Sequence, residues 1–266
     1  KRLGCPVTVR AAGGAPGTTE NLARTAEPEF DVIVAAGGDG TVAAVVNGVA
    51  AAPRSVAVLP FGTANVLASE IGVPRAAEAQ AAMIAAGPAR PFWPGRLDGR
   101  LFVTSAGAGF DAAVVAAVDP RMKRWAGRLA FAWAGIVCLM RHRDQVLTVI
   151  ADGVVHRAGA VIATTGPLYA GRFPIAPVAR PEDPDFGLVL LPRGGRRAVL
   201  RCGAALLLGR LSRARGVAIL NARSISIAGE AGMPVQTDGD IAAHLPIKLE
   251  IAPSSIPLIH PAGPPR

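Results

Sequence analysis

The stretch that decides the fold is FDVIVAAGGDGT, residues 30–41. Its first part, Val32–Ala36, is a short apolar run rich in β-branched residues, which is typical of a strand buried on both faces. After this stretch the apolar residues recur at positions 42, 45, 46, 49 and 50, which is helical spacing. The glycines are therefore predicted to lie on a strand-to-helix turn, where backbone N–H groups can converge on an anion.

A second turn of this kind follows one βαβ unit later, within LPFGTAN, residues 59–65. Val56–Leu59 predicts another buried strand, and the helix that opens at Gly62–Asn65 is predicted to end at Gly72. A lone glycine-rich turn is most often only a tight turn. Two such turns at the carboxyl ends of neighbouring parallel strands, with one acid and two hydroxyls, favour a nucleotide-phosphate site.

Asp39 lies in the middle of the first turn. Because like charges repel, its carboxylate is not expected to bind a phosphate directly. We predict that it holds Mg²⁺ against the phosphates or orients an attacking hydroxyl.

These residues resemble the bacterial diacylglycerol kinase-like lipid kinases, whose superfamily includes sphingosine and ceramide kinases. The resemblance rests on GGDGT at 37–41 with VVNG at 45–48, and on LPFGTAN at 59–65. NAD kinases and phosphofructokinases share a related GGDG turn, but as families they do not follow it with PxGTAN. Two later segments also match, GAGFDA at 107–112 and PVQTDGD at 234–240, so that the matches cover essentially the whole chain.

The resemblance implies an ATP-dependent lipid kinase with ATP and Mg²⁺ as cofactors. The implied acceptor is the primary hydroxyl of a membrane lipid, either diacylglycerol-like or sphingoid- or ceramide-like. The residues assigned to nucleotide binding are Thr19, Gly37, Gly38, Gly40, Thr41, Gly62, Thr63 and Asn65. The assigned catalytic residues are Asp39, Asp238 and Asp240, and the assigned metal ligands are Asp39, Asp183 and Asp185.

Asp238 and Asp240 form a pair of carboxylates on a predicted tight turn between strands. An ordinary Asp-Gly hairpin has the same pattern. Two like charges this close are expected to raise one pKa, which suits a proton acceptor.

Three positions depart from the family's pattern. Asp240 stands where the family usually has Glu, and Trp93 stands where it typically has an Asp that helps to hold the lipid head. The family's metal loop becomes EDPDFG at 182–187, which keeps acids but places Pro184 at its glycine. The family's first strand and glycine-rich loop are also missing ahead of residue 7, so we expect a fragment or a displaced start.

The predicted fold is an α/β Rossmann-like parallel-sheet domain, residues 1–90, and a β-sandwich domain, residues 91–255, with the active site in the cleft between them. A C-terminal strand and tail, residues 256–266, follow. Short strand-like runs at close intervals after residue 90 indicate the sandwich. A strand at Val7–Arg10, a short helix with a hydroxyl N-cap at 18–26, and helices near 112–118, 122–140 and 196–209 complete the prediction.

Charge and composition bear on the partners of the chain. The net charge is +9, and seven arginines lie between residues 193 and 215, around a predicted amphipathic helix. Such a helix suits an anionic membrane surface, although nucleic acid or plain solvent could equally face it. Aromatic residues are sparse, so we expect no nucleic-acid partner.

The expected location is the cytoplasm, with peripheral association at the inner face of the membrane. The longest apolar run, Leu129–Met140, has 12 residues and is too short to span a bilayer. No secretion pattern precedes residue 7, and the three cysteines lack CxxC spacing. A homodimer is left open.

Two other functions fit parts of the sequence. The departures at Trp93 and at 182–187 would also fit a catalytically impaired lipid- or nucleotide-binding regulatory protein. A NAD or sugar kinase is a weaker alternative. A dinucleotide-binding oxidoreductase ranks last, because Asp39 stands where the pyrophosphate would sit.

Overall fold

The computed structural model describes residues 4–13, 15–119 and 128–262. The helices are α1 (Thr18–Arg24), α2 (Asp39–Val49), α3 (Val66–Glu70), α4 (Ala77–Ala86), α5 (Phe110–Ala117), α6 (Arg128–Arg141) and α7 (Gly195–Leu207), with a 3-10 turn at Leu211–Arg213.

The strands before the middle of the chain are β1 (Val32–Gly37), β2 (Ser55–Pro60), β3 (Ala89–Phe92), β4 (Gly95–Leu97), β5 (Arg100–Phe102), β6 (Ser105–Ala108), β7 (Leu147–Ala151), β8 (Val154–Ala158) and β9 (Ala160–Thr164). The later strands are β10 (Leu168–Tyr169), β11 (Phe173–Pro174), β12 (Phe186–Leu191), β13 (Ala218–Ala222), β14 (Ser224–Ala228), β15 (Pro234–Thr237), β16 (Asp240–His244), β17 (Ile247–Ile251) and β18 (Ile256–Ile259).

The N-terminal sheet has the order β1-β2-β18-β3. Strands β1 and β2 are parallel over six residue pairs, β18 is parallel to β2, and β3 closes the sheet in the antiparallel direction. Helix α2 packs its buried valines onto the sheet, in a core that also contains Leu67 of α3 and Phe92 of β3. The parallel strands bring the turns that follow β1 and β2 to the same edge.

Strand β1 is less buried than its apolar sequence predicted. Val34 is 38% exposed, and Ala35 is the one buried residue of this strand. The reason is that β1 pairs with β2 alone in the described sheet, so that it lies at the edge. The prediction of a strand buried on both faces is therefore wrong for β1.

The C-terminal half forms two six-stranded antiparallel sheets, in the orders β13-β12-β9-β6-β15-β16 and β5-β4-β17-β14-β7-β8. Their inner faces enclose the largest apolar core, in which the rings of Phe102 and Phe186 stack at 5.8 Å. The predicted combination of an α/β domain and a β-sandwich is confirmed.

Strand β18 connects the end of the chain to its beginning. It leaves the sandwich and enters the first sheet between β2 and β3, where Ile256 and Leu258 are buried. The segment predicted as a separate terminal strand thus supplies an interior strand of the N-terminal sheet.

Several local predictions differ from the structure. Val7–Arg10 forms no strand, and Val7 and Val9 are exposed, since no described strand pairs with this segment. Helix α1 is confirmed, but its N-cap is Gly17 in the left-handed region rather than a hydroxyl residue. The start of the helix predicted at 122–140 lies outside the described residues, and the remainder is α6.

Candidate active site

The two glycine turns touch each other at the carboxyl ends of β1 and β2. A Cβ atom added to Gly62 would lie 2.4 Å from the Cα of Gly38, and the Phe61 N–H donates to the Gly37 carbonyl at 3.0 Å. The backbone of the two turns can approach this closely only because neither Gly38 nor Gly62 has a side chain. The structure therefore brings both turns to one place, as their spacing predicted.

Gly40 differs from the other glycines of the first turn. A Cβ at Gly37 would lie 2.3 Å from Thr41 Oγ1, whereas a Cβ at Gly40 would meet no heavy atom within 4 Å. Packing within the protein thus explains why positions 37, 38 and 62 need glycine, but it does not explain the glycine at position 40. Gly40 lies exposed in the first turn of α2, where a phosphate could approach backbone N–H groups directly.

Asn65 closes the second turn. It has a φ of 47°, its side-chain oxygen accepts the Gly62 N–H at 2.8 Å, and its side-chain nitrogen donates to the Gly62 carbonyl at 2.8 Å. Thr63 lies exposed between them. The two polar atoms of the Asn65 side chain thus hold the turn in shape, and a direct contact with nucleotide stays a prediction.

Asp39 joins the two turns. It is the first residue of α2, and its carboxylate accepts the backbone N–H groups of Val66 at 3.1 Å and Leu67 at 3.3 Å. The first N–H groups of a helix have no carbonyl partner within that helix. The Asp39 carboxylate accepts two of those of α3 and so caps it. Burial raises the pKa of Asp39, and the bonds from Val66 and Leu67 partly offset this effect.

Asp238 lies on a two-residue hairpin between β15 and β16. Asp238 and Gly239 have φ values of 51° and 83°, which is the geometry that favours Asp-Gly in such a turn. The Asp238 carboxylate accepts the N–H of Val103 at 2.9 Å, and the N–H and hydroxyl of Thr104 at 2.8 and 2.7 Å. These bonds fix the carboxylate against the segment between β5 and β6.

The pKa of Asp238 is raised to about 6. Burial is the main cause, the bonds from Thr104 and Val103 lower the pKa in part, and the charge of Asp39 raises it further. The sequence predicted that the closeness of Asp238 and Asp240 would raise the pKa of one of them. Asp240 lies exposed at the start of β16, and burial is the main cause of the raised pKa of Asp238. The effect of the Asp39 charge on Asp238 indicates that one carboxylate of each domain lies where the two domains meet, and we call this place the cleft.

Glu70 is a third carboxylate at this cleft, and the sequence did not single it out. It ends α3, lies against Gly166 of the sandwich domain, and accepts the Leu168 N–H on Oε1 at 3.0 Å. Its Oε2 is buried without a hydrogen-bond partner. Burial, with smaller effects from the charges of Asp39, Asp238 and Glu182, raises the pKa of Glu70 to about 8. A glutamate in the apolar segment VLASEI was the available signal.

A buried chain of polar side chains supports the Asp238 hairpin. The Tyr169 hydroxyl and the Gln236 amide nitrogen both donate to the Asp111 carboxylate, the latter at 2.8 Å. The Gln236 oxygen then accepts the N–H of Gly239 at 2.9 Å. Asp111 and Gln236 belong to the two later motifs of the sequence, and their contact explains why those motifs occur together.

Comparison with known proteins decides the family. Residues 2–97 match the model of the diacylglycerol kinase catalytic domain. Residues 104–260, more than half of the chain, match the model of the YegS C-terminal NAD kinase beta sandwich-like domain. The chain belongs to the diacylglycerol kinase-like lipid kinase family.

Individual relatives agree with this assignment. The diacylglycerol kinase of Bacillus subtilis (strain 168) is 28% identical over 251 residues, which cover 92% of this chain and 83% of that protein. The diacylglycerol kinase of Staphylococcus saprophyticus is 25% identical, covering 86% of this chain and 76% of that protein. A crystal structure of a diacylglycerol kinase from Bacillus anthracis str. Sterne superposes with a TM-score of 0.75 at 22% identity, covering 92% and 83% of the two chains, and shows the same fold. The chain is thus a phosphotransferase with an alcohol group as acceptor.

The other predicted site residues of this lipid kinase are Thr19, Asp183 and Asp185. Thr19 is in the first turn of α1. The Asp183 N–H donates to the Arg180 carbonyl at 3.0 Å, and the Asp185 carboxylate accepts a bond from the Asn221 amide nitrogen at 3.1 Å. Within the described ranges no hydrogen bond or ion pair joins these three residues to Asp39 or Asp238. Their roles stay predictions.

The cleft fits a nucleotide triphosphate better than the loop at 182–187 fits a metal. The two turns offer an open glycine and the N-terminus of α2, both suited to phosphate. No group of three or more His, Cys, Asp or Glu side chains arranged to hold a metal ion occurs in the described part of the kinase. Asp39 carries hard oxygen atoms of the kind that Mg²⁺ prefers, and bound phosphates would complete such a site.

The basic helix of the kinase is α7. Arg196, Arg197 and Arg201 are exposed on it, as the charge pattern predicted. Leu211, just after this helix, is buried in the core beneath it. Among the described helices, none has the length and apolar character needed to cross a bilayer.

Proposed function

We propose that this chain transfers the γ-phosphate of ATP to the primary hydroxyl of a membrane lipid, either diacylglycerol-like or sphingoid- or ceramide-like. The observation that carries the proposal is a set of contacts that joins the two domains. Asn47 of α2 exchanges hydrogen bonds with the Leu101 backbone at 2.9 and 3.0 Å, and Val103, two residues later, binds the Asp238 carboxylate at 2.9 Å. Asp39 lies between the two glycine turns of the first domain, and Asp238 belongs to the sandwich. A phosphoryl donor at the turns would therefore be next to a proton acceptor that the other domain supplies.

The donor nucleotide is assigned to the two turns. Gly40, Thr41 and Thr63 would contact its phosphates, Gly37, Gly38, Gly62 and Asn65 would shape the cradle, and Thr19 stays a predicted contact. Asp39 would hold Mg²⁺. When bound, ATP and Mg²⁺ supply the transferable phosphoryl group and the neutralisation of its charge.

Asp238 is assigned as the proton acceptor. With a pKa of about 6 it is mostly ionised at pH 7, yet it is basic enough to take a proton from a hydroxyl as the new bond forms. The three bonds from Val103 and Thr104 hold its oxygens in place, which positions them for the acceptor lipid. Asp240 remains the predicted second carboxylate of the pair.

The Asp39→Asn variant tests the proposal. Asparagine keeps an oxygen to accept the N–H of Val66 or Leu67, so that α3 remains capped, while the charge needed for Mg²⁺ is removed. We expect ATP turnover on lipid in mixed micelles to be abolished and the melting temperature to stay near that of the wild type. Asp31→Asn, which changes an exposed acid just before β1, is the matched control. Near-wild-type turnover by Asp39→Asn would contradict the site assignment.

A lipid panel in mixed micelles distinguishes the acceptors. Diacylglycerol, a sphingoid base, ceramide and a glycerophospholipid each present a hydroxyl on an apolar body, and the preferred acceptor is the one with the highest kcat/KM. Turnover of NAD or a sugar without micelles would replace the proposal with a soluble-substrate kinase.

A catalytically impaired binding protein is the second candidate. Trp93 favours it, because this half-buried indole stands where the family has an acid, and its backbone N–H donates to Pro181 at 3.0 Å. Calorimetric ATP binding without phosphate transfer to any lipid of the panel would establish this candidate instead.

A further inference from the structure

Helix α6 presents a row of large apolar side chains to solvent. Leu129, Trp133, Ile136 and Met140 are 73%, 60%, 53% and 68% exposed. They are spaced by four, three and four residues, which places them in one line along the helix. On the other side Ala130 and Ala134 are buried, and α6 packs on α5. We call these four residues the α6 stripe.

Packing within the domain does not explain the α6 stripe. The buried residues of α6 are Ala130 and Ala134, and the four side chains of the stripe point away from them. Single exposed apolar residues are common on protein surfaces, but a contiguous row of four marks a surface that another apolar phase covers.

Positive charge surrounds the C-terminal end of the stripe. Arg141 and Arg143 are exposed there, and Asp144 joins this end of α6 to the start of α7. The Asp144 carboxylate accepts the Gly194 N–H at 3.1 Å and pairs with Arg193 at 3.8 Å, so its charge is locally compensated.

Helix α7 begins at this end of α6. Its exposed residues combine Arg196, Arg197 and Arg201 with Leu200 and Leu207. Arg196 is close enough to the end of α6 for its charge to lower the pKa of His142, although burial of that imidazole is the larger cause. Neither α6 nor α7 contains an acidic residue.

A chain of contacts joins the end of α6 to the hairpin of Asp238. The ring of His142, just after α6, contacts Phe110 edge-on at 5.4 Å between centroids. Phe110 precedes Asp111, which holds Gln236 and through it the hairpin of Asp238. A surface that binds at α6 would therefore lie beside the residues that position the proton acceptor.

We infer that the α6 stripe inserts into the interfacial layer of an anionic lipid bilayer, with the arginines of the α6–α7 corner at the headgroups. This rests on the proposed function, because the acceptor lipid would be part of that bilayer. Apolar residues in line with flanking cations and no acids are what an interfacial helix needs. Nucleic acid would match the arginines but would leave the stripe in water.

Vesicle co-sedimentation tests the inference on the whole chain. The probes are phosphatidylcholine vesicles with and without phosphatidylglycerol, and the test variant is Trp133→Ser/Ile136→Ser. Val154→Ser/Val155→Ser on β8 is the matched control, since these two side chains are also exposed and apolar. We expect the test variant to partition onto the anionic vesicles about tenfold or more weakly, and the control variant to bind as the wild type does.

Trp133 provides a second readout. Brominated acyl chains should quench the vesicle-bound wild type, and Trp133→Phe should lose most of that quenching. On a short-chain diacylglycerol that is soluble as a monomer, the test variant should keep wild-type turnover, while its turnover on vesicles falls with binding.

Four outcomes would overturn the inference. They are wild-type protein that does not bind anionic vesicles, equal binding of test variant and wild type, equal losses in test and control variants, and a dimer that the test variant turns into a monomer. The last would assign the stripe to a second copy of the chain. Wild-type protein that binds vesicles through the stripe but phosphorylates no lipid would support the inference and contradict the proposed function.

Discussion

Gly38 and Gly62 are in backbone contact, because a Cβ on Gly62 would lie 2.4 Å from the Cα of Gly38. Gly62→Ala must therefore push the two turns apart. We expect a loss of about 1–3 kcal/mol in the free energy of unfolding, as for other overpacked sites, and a fall in ATP affinity of about tenfold or more. Thermal melting and calorimetric ATP titration measure the two effects.

Gly40→Ala should separate binding from stability. Its Cβ would enter open space, so we expect a change in the free energy of unfolding within about 0.5 kcal/mol and a clear loss of ATP affinity, because the methyl group occupies the approach to the backbone. Unchanged ATP affinity in this variant would show that phosphate does not contact the first turn of α2.

Asp238→Asn should remove the proton acceptor while asparagine keeps the strained φ and part of the bonding to Thr104. We expect kcat to fall by about a hundredfold to ten-thousandfold. In the wild type, kcat/KM should rise with pH through about 6, as Asp238 loses its proton, and this limb should vanish in the variant. Asp240→Asn, at the exposed position two residues later, is the comparison; if it causes the larger loss, the roles of the two acids are reversed.

Glu70 should make stability depend on pH. Its pKa is about 8 in the fold against an ordinary value of 4.5, so the native state binds more protons than the unfolded state between these pH values. The free energy of unfolding should therefore decline as pH rises from about 4.5 to 8 and be constant above. Glu70→Gln keeps the acceptor for Leu168 and carries no charge, so it should remove this decline and be more stable than the wild type above pH 8.

Chemical denaturation at a series of pH values, without nucleotide or added metal, measures this effect. Glu29→Gln, at an exposed position before β1, is the control and should follow the wild-type curve. Curves for wild type and Glu70→Gln that run parallel at every pH would show that folding does not change the pKa of Glu70.

Arg196→Ala/Arg197→Ala/Arg201→Ala should weaken binding to anionic vesicles by about two orders of magnitude without altering ATP affinity. The loss should shrink as ionic strength rises, because the Debye length falls from about 8 Å in physiological salt to about 3 Å at 1 M. The control is Arg10→Ala, which removes an exposed arginine that pairs with Glu27 on the first domain. If neither added salt nor the triple substitution changed co-sedimentation with vesicles, these arginines would be only solvent-exposed residues without a role in membrane binding.

The sequence by itself determined the family, the two-domain fold and the position of both glycine turns. Each of these depends on local pattern. A β-branched strand, a glycine turn and a helical repeat follow one another between residues 32 and 50. The spacing between the turns at 37–41 and 62–65 is that of one βαβ unit. Asp238-Gly239 likewise predicted its own hairpin, since its two positive φ values are a local preference.

Only the tertiary structure decided which side chains act on one another. The carboxylate of Asp39 caps α3, although the sequence assigned this residue only to Mg²⁺ or the acceptor hydroxyl. The pKa of Asp238 is raised mainly by burial, and the charge of Asp39, far away in the sequence, raises it further. Strand β18 returns from the sandwich to the first sheet, which no local pattern near residue 256 indicated.

The physical reason is that burial and long-range charge act through space. The charge that raises the pKa of Asp238 comes from the other domain, and the two residues are about two hundred positions apart in the sequence. Glu70 was missed for the same reason, because its burial depends on Gly166 and Leu168 of the sandwich. No local pattern in the chain records either effect.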